Sequence, residues 1–215
     1  MHTVVEQSAE QIQGKQLHAR YSAGAGSLGT LYIAVRYTLV TAVLLGLVYP
    51  AIVTGIAQLT MREKANGQLL VRDGVVIGSA IIGQNFTSQR YFRDRPSAAG
   101  NGYDAANSGG SNLAQSNQAL ADRINRSVDA YLKQDPDNLV PIELVTTSAS
   151  GLDPDISPAA AEYQVRSVAR ARHASEDEIR ALVRARTSPR QFGVLGESRV
   201  NVLLLNLDLD QHFGG

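Results

Sequence analysis

The sequence predicts an α+β protein: one N-terminal transmembrane helix followed by a single mixed α/β extramembrane domain. Three observations carry this. Residues Tyr37 to Ala57 form 21 consecutive positions without a charge, about 32 Å of helix against the roughly 30 Å of a bilayer's hydrocarbon core. Arg72-Asp73-Gly74 separates two apolar, β-branched runs, and Asp-Gly supplies the positive φ angles of a tight hairpin. Apolar residues at helical spacing recur beyond it behind recognisable caps.

The anchor is apolar on every face, unlike a surface helix of a globular domain. Gly55-Ile56-Ala57 offers a small-x-small cleavage site, but the apolar run exceeds a signal peptide's usual 7 to 15 residues, which favours an uncleaved anchor. Pro50 frees the carbonyl of Gly46 and predicts a kink. Tyr32 and Tyr37 suit one interface and Arg62 and Lys64 the other. Domain limits follow: a polar, flexible extension over residues 1–30, the helix over 31–60 and a globular domain over 61–215.

Composition narrows the functions open to that domain. There are 20 basic and 20 acidic residues, so nothing favours nucleic acid or an anionic surface. Cysteine is absent, which removes disulfides, thiolate metal sites and thiol nucleophiles. His2, His18, His173 and His212 are scattered without metal-ligand spacing. Basic residues flank the anchor almost equally, so charge alone does not orient it.

Along the chain, Glu6 to Arg20 has the makings of a short helix, and Ser22 to Ser27 reads as linker. Strands are expected over Gln68 to Val71 and Val75 to Ile82. The segment from Gly83 to Asn112 is long and glycine-rich, yet carries Phe86, Tyr91, Phe92, Arg93, Arg95 and Tyr103; so many aromatic and guanidinium groups argue for an ordered binding loop. It ends in Ser108-Gly109-Gly110-Ser111-Asn112, after which a helix is expected with Leu113, Leu120, Ile124, Val128 and Leu132 on one face. A glycine turn at a helix N-terminus can hold an anion; the plainer reading is a turn with Ser111 or Asn112 as cap.

Pro141 to Val145 fits a short strand or a helical turn. Asp153 and Asp155 are read as part of helix-start chemistry rather than a carboxylate pair or metal ligands, because Ser157-Pro158 is a cap followed by the favoured first residue. The helix from Pro158 to about Arg172 turns Val165, Val168 and Ala169 inward and carries Gln164. Ser175 and Glu178 form a capping box for a helix to about Thr187, with Ile179, Leu182 and Val183 inside and Arg180, Arg184 and Arg186 on a solvated face. Val200 to Leu209 is either a strand or a strand merging into a helix. No serine nucleophile elbow and no glycosidase-like acid pair occurs.

The ordered series Tyr49-Pro50, Gly78 to Gln84, Tyr91 to Ala98, Ser108 to Leu113, Leu144 to Asp153, Ile156-Ser157-Pro158 and Val200 to Leu203 resembles the C subunit of the bacterial Kdp potassium-transporting P-type ATPase, over about Leu31 to Asp210. Departures are Arg166-Ser167 for the family's frequent Pro-Arg, Asp155 for a common His, and Leu204 for a usual Glu. The resemblance implies a non-catalytic, single-span inner-membrane subunit with a periplasmic domain. Its implied partners are an ATP-hydrolysing P-type subunit, a potassium-channel-like subunit and a small single-span peptide. It also implies a role in assembly and as a catalytic chaperone that raises ATP affinity, with the nucleotide role placed on Ser108, Gly109, Gly110, Ser111, Asn112 and Gln164. An outer domain cannot touch cytoplasmic ATP across about 30 Å of hydrocarbon, so ATP is expected as the complex's cofactor. The alternative class is a stand-alone membrane-anchored ligand-binding protein or hydrolase.

Overall fold

A computed structural model describes residues 26–214; the expected helix over Glu6 to Arg20 and most of the linker lie outside them. The chain divides after Ala65 into two units.

The first unit is helical. Helix α1 (Ser27–Val43) runs through a π-helical turn, Leu44–Val48, into α2 (Tyr49–Thr60), and a single turn, α3 (Arg62–Ala65), follows. From Ser27 to Thr60 the 34 residues are apolar enough to cross a membrane, and none of the apolar window is buried within the chain. The predicted break at Pro50 takes the form of the π turn just before it, where the ring denies Gly46 its amide partner and crowds its carbonyl. Thr41 Oγ1 donates to Tyr37 O at 2.8 Å, so this hydroxyl is satisfied within the helix.

The second unit opens with the predicted hairpin, β1 (Leu69–Arg72) against β2 (Val75–Ser79), with Asp73 at φ 53° and Gly74 at φ 79°. These angles make a left-handed turn that matches strand twist. The second strand stops at Ser79, short of the expected Ile82. Helix α4 (Gln118–Leu132) begins at Asn117, whose side chain accepts from Ala119 N at 2.9 Å. The helix expected directly after Asn112 is therefore corrected: Leu113 stands outside it, and neither Ser111 nor Asn112 is its cap. Ile142–Leu144 is one 3-10 turn, the helical option for that stretch.

A three-stranded antiparallel sheet places β5 (Arg199–Asn201) between β3 (Asp155–Ile156) and β4 (Thr187–Ser188). Helices α5 (Pro158–Arg172), α6 (Glu176–Arg186) and α7 (Val202–Phe213) enclose the core with it. Ser157 caps α5 with Pro158 at its first turn, and Ser175 with Glu178 completes the capping box of α6. The final stretch is the strand that merges into a helix: the Asn201 side chain accepts from Leu204 N and starts α7 one residue after the strand's centre. Val165, Val168, Ile179, Val200, Val202, Leu205 and Leu209 meet in the core, with Phe92 inserted from a loop and Leu144 from the 3-10 turn. The solvated-arginine reading holds for Arg184 and Arg186, both exposed, although Arg186 also grips buried Asp208 through its Nε and Nη2; Arg180 is half-buried and paired with Glu162, Glu176 and Asp177.

The segment from Gly83 to Asn112 has no strand or helix, yet its backbone is satisfied by side chains. Asn206 on α7 accepts from Phe92 N and donates to Phe92 O, both at 2.9 Å. Gln164 on α5 accepts from Arg93 N at 2.8 Å and donates to Arg93 O at 3.1 Å. Arg172, its side chain fully buried, donates to Arg90 O and Gly214 O, pairs with Asp210 and lies 4.8 Å over the Tyr91 ring. Further on, Ser97 Oγ donates to Gly151 O and accepts from Tyr103 N, while Tyr103 Oη donates to Arg95 O. Asp94 accepts from Gln84 N at 3.2 Å with its other oxygen buried and unpartnered. Burial pushes its carboxyl up to about 8; Asp153 and Asp155 add to the rise, and the Gln84 hydrogen bond opposes it.

Two outcomes follow. Asn206→Ala leaves both polar groups of buried Phe92 without partners and should destabilise the domain by about 3 kcal/mol in denaturant titration of the detergent-purified chain. The neutral Asp94 contributes stability that is complete below about pH 4 and lost as pH rises through about 8, because the folded state holds the proton more tightly than the unfolded chain. Asp94→Asn should flatten stability across that window and exceed the parent at pH 9 and above.

Candidate functional site

The residues singled out in the sequence occupy two places. Ser108 Oγ donates to Ser150 O at 3.0 Å and Gly109 N to the same oxygen at 2.8 Å, which fastens the glycine turn to the Ser148–Gly151 loop. Gly110 runs against that loop: a Cβ there would lie 3.1 Å from Ala149 O. Gly151 is closer still, at φ +67° with a Cβ position 2.7 Å from both Ala99 N and Gly109 O, so only glycine fits. Asn112 follows at φ 51°, a left-handed conformation that asparagine tolerates. The turn therefore ends five residues before the cap of α4, and its Gly109 amide is engaged by Ser150 rather than projecting from a helix terminus.

Gln164 lies elsewhere. It is 6% exposed, and its amide is spent on the Arg93 backbone and on Ala160 O. It shares no hydrogen-bond partner with Ser108 to Asn112.

Gln164 does, however, border a concavity of about 210 Å³ that sequence reasoning missed. Three stretches form it: Gln89 to Arg93, the end of α4 with its following turn, and one face of α5. Tyr163, Arg166, Ser167 and Arg170 share that face at helical spacing. This i, i+3, i+4, i+7 arrangement of polar groups beside a buried stripe was the available signal. Tyr131 and Tyr163 meet edge to face with centroids 5.8 Å apart. Burial raises both hydroxyls above their ordinary value, with Asp135 adding to the rise at Tyr163 and Arg93 opposing it at Tyr131. Both remain neutral donors at physiological pH. Among the described residues, no group of three or more histidine or carboxylate side chains is placed to hold a metal ion.

Comparison with known proteins identifies the family of this sequence. Residues 31–211 match the family described as "KdpC: K+-transporting ATPase, c chain". A relative from Koribacter versatilis, named potassium-transporting ATPase KdpC subunit, is 56% identical over 84% of this chain and 93% of its own length. One of the same name from Acidobacterium capsulatum is also 56% identical, over 84% and 97%, and one from Rhodopseudomonas palustris is 51% identical over 80% and 91%. The match runs through the apolar helix, the side-chain-pinned segment and the terminal strand–helix unit alike, and the chain belongs to the KdpC family.

Proposed function

We propose that this chain is the single-span accessory subunit of an ATP-driven potassium uptake complex in the bacterial inner membrane. It supports assembly with an ATP-hydrolysing P-type subunit, a channel-like potassium subunit and a small single-span peptide, and it raises the ATP affinity of the hydrolysing partner. The observation that carries this reading is one continuous family match across both the membrane-type helix and the folded domain. The helix supports it physically. Leu39, Leu45, Leu47 and Ile52 are all more than half exposed, a surface that calls for lipid or partner helices.

In this reading the large domain lies on the periplasmic side. Across about 30 Å of hydrocarbon no residue of it reaches cytoplasmic ATP. The effect on ATP then passes through the partner subunits: Ser108 to Asn112 shape the docked surface by their seam with Ser150, and Gln164 acts by holding Arg93. Coupling of this kind is an equilibrium between sites and needs no direct contact.

Orientation is tested with a single cysteine introduced at Ser111, since the natural chain has no competing thiol. A thiol reagent that does not cross the inner membrane should label it in intact cells; protection lost only when cells are opened would place the domain in the cytoplasm. The ATP role is tested on the purified complex. Gln164→Ala should raise the KM for ATP by about tenfold with kcat nearly unchanged, the scale of a typical coupling free energy. An unaltered KM in an intact complex would remove Gln164 from that role.

A further inference from the structure

The concavity beside Gln164 has an uneven charge. Arg93, Lys133, Arg166 and Arg170 line it against one carboxylate, Asp135, in a chain with equal numbers of acidic and basic residues. Asp135 is engaged in part: Oδ2 accepts from Asn138 Nδ2 at 2.8 Å, while Oδ1 has no hydrogen-bond partner and faces Arg166 at 3.7 Å. Among the described residues, neither Lys133 nor Arg170 has a carboxylate partner. The Tyr163 hydroxyl is buried without any hydrogen-bond partner, a costly state for a polar group unless a ligand oxygen meets it.

These donors select for chemistry. Guanidinium forks and tyrosine hydroxyls match the several oxygens of a phosphate group better than a single carboxylate. A volume of about 210 Å³ is many times what one water needs and leaves room for one phosphate and a short polyol. We propose that this cavity binds a phosphate ester, with Arg93, Lys133 and Arg170 on the phosphate oxygens and Tyr163 donating from the wall. Two sources share that chemistry, the headgroup of an anionic phospholipid and a soluble phosphate ester. The inference is independent of the ATP role above, because Ser108 to Asn112 do not line the cavity.

The test uses the full chain purified in detergent. Glycerol phosphate is titrated calorimetrically against glycerol with chloride at equal ionic strength. Lys133→Gln/Arg170→Gln is compared with Arg184→Gln, an exposed arginine of α6 outside the cavity. Saturable binding that weakens by about tenfold or more in the double variant, and not in the control, identifies a soluble ester. For the lipid source, the chain is placed in nanodiscs of phosphatidylcholine with or without phosphatidylglycerol. Tyrosine emission is read directly, since there is no tryptophan. A response to phosphatidylglycerol that the double variant abolishes, without glycerol phosphate binding, identifies the headgroup. The proposal is overturned if neither probe gives a response beyond chloride, or if the double variant responds as the parent does.

Discussion

Two buried carboxamides, Asn206 and Gln164, hold the domain together at the point where it has least regular structure. Each closes a pair of hydrogen bonds on one backbone residue, Phe92 and Arg93 respectively, as a neighbouring strand would. An extended chain entering a core carries donors and acceptors that must be met, and leaving one buried and unpaired costs about 1–3 kcal/mol. Because the two grips fall on consecutive residues and come from different helices, they fix the direction of the segment as well as its depth. Phe92 can then be fully buried, while Tyr91 stacks under Arg172 and Asp94 is drawn inward beside the Gln84 amide.

The same constraint sets what lies on either side. Downstream, Arg95 and Ser97 are tied to the Thr147–Asp153 stretch, and the chain returns to it at Ser108 and Gly109. This double passage leaves no room for a Cβ at Gly151. Upstream, Arg172 joins Arg90, Asp210 and Gly214, so the end of α7 is fastened to the start of the segment. The buried arginine is matched by a carboxylate and two carbonyls, the condition under which a buried charge is tolerated.

Local chemistry was legible in the sequence. The Asp73-Gly74 turn, the Ser157-Pro158 cap and the Ser175–Glu178 box all act within four residues and appear where their signatures lie. The start of α4 was not, because the stretch before it offers several capping residues and Leu113 happens to fall in phase with Leu120 and Ile124. At the C-terminus, Asn206 and Asp208 break the apolar run as outward polar residues of a strand would, yet both are buried. Each is satisfied by a partner far along the chain, Asn206 by Phe92 at a separation of 114 residues and Asp208 by Arg186. Period-two alternation is therefore a weak guide wherever buried polar residues have distant partners. The membership of Gln164 in a clamp 71 residues away in sequence is invisible for the same reason.

The clamp and the cavity are two faces of one arrangement. Holding Arg93 by its backbone sets its side chain along the wall of the concavity, where Nη2 donates to Thr87 O at 3.3 Å and Arg166 and Arg170 of α5 also line the space. Asp135 offsets part of the repulsion among these three guanidinium groups and Lys133, and the net charge of the lining stays positive. Arg166 faces the buried Asp135 carboxylate, but a fold that needed only to fasten the segment would lose no ion pair on neutralising the exposed Arg170. Arg170, with no carboxylate partner among the described residues, and the unpartnered Tyr163 hydroxyl are the groups on this face that the proposed ligand would satisfy.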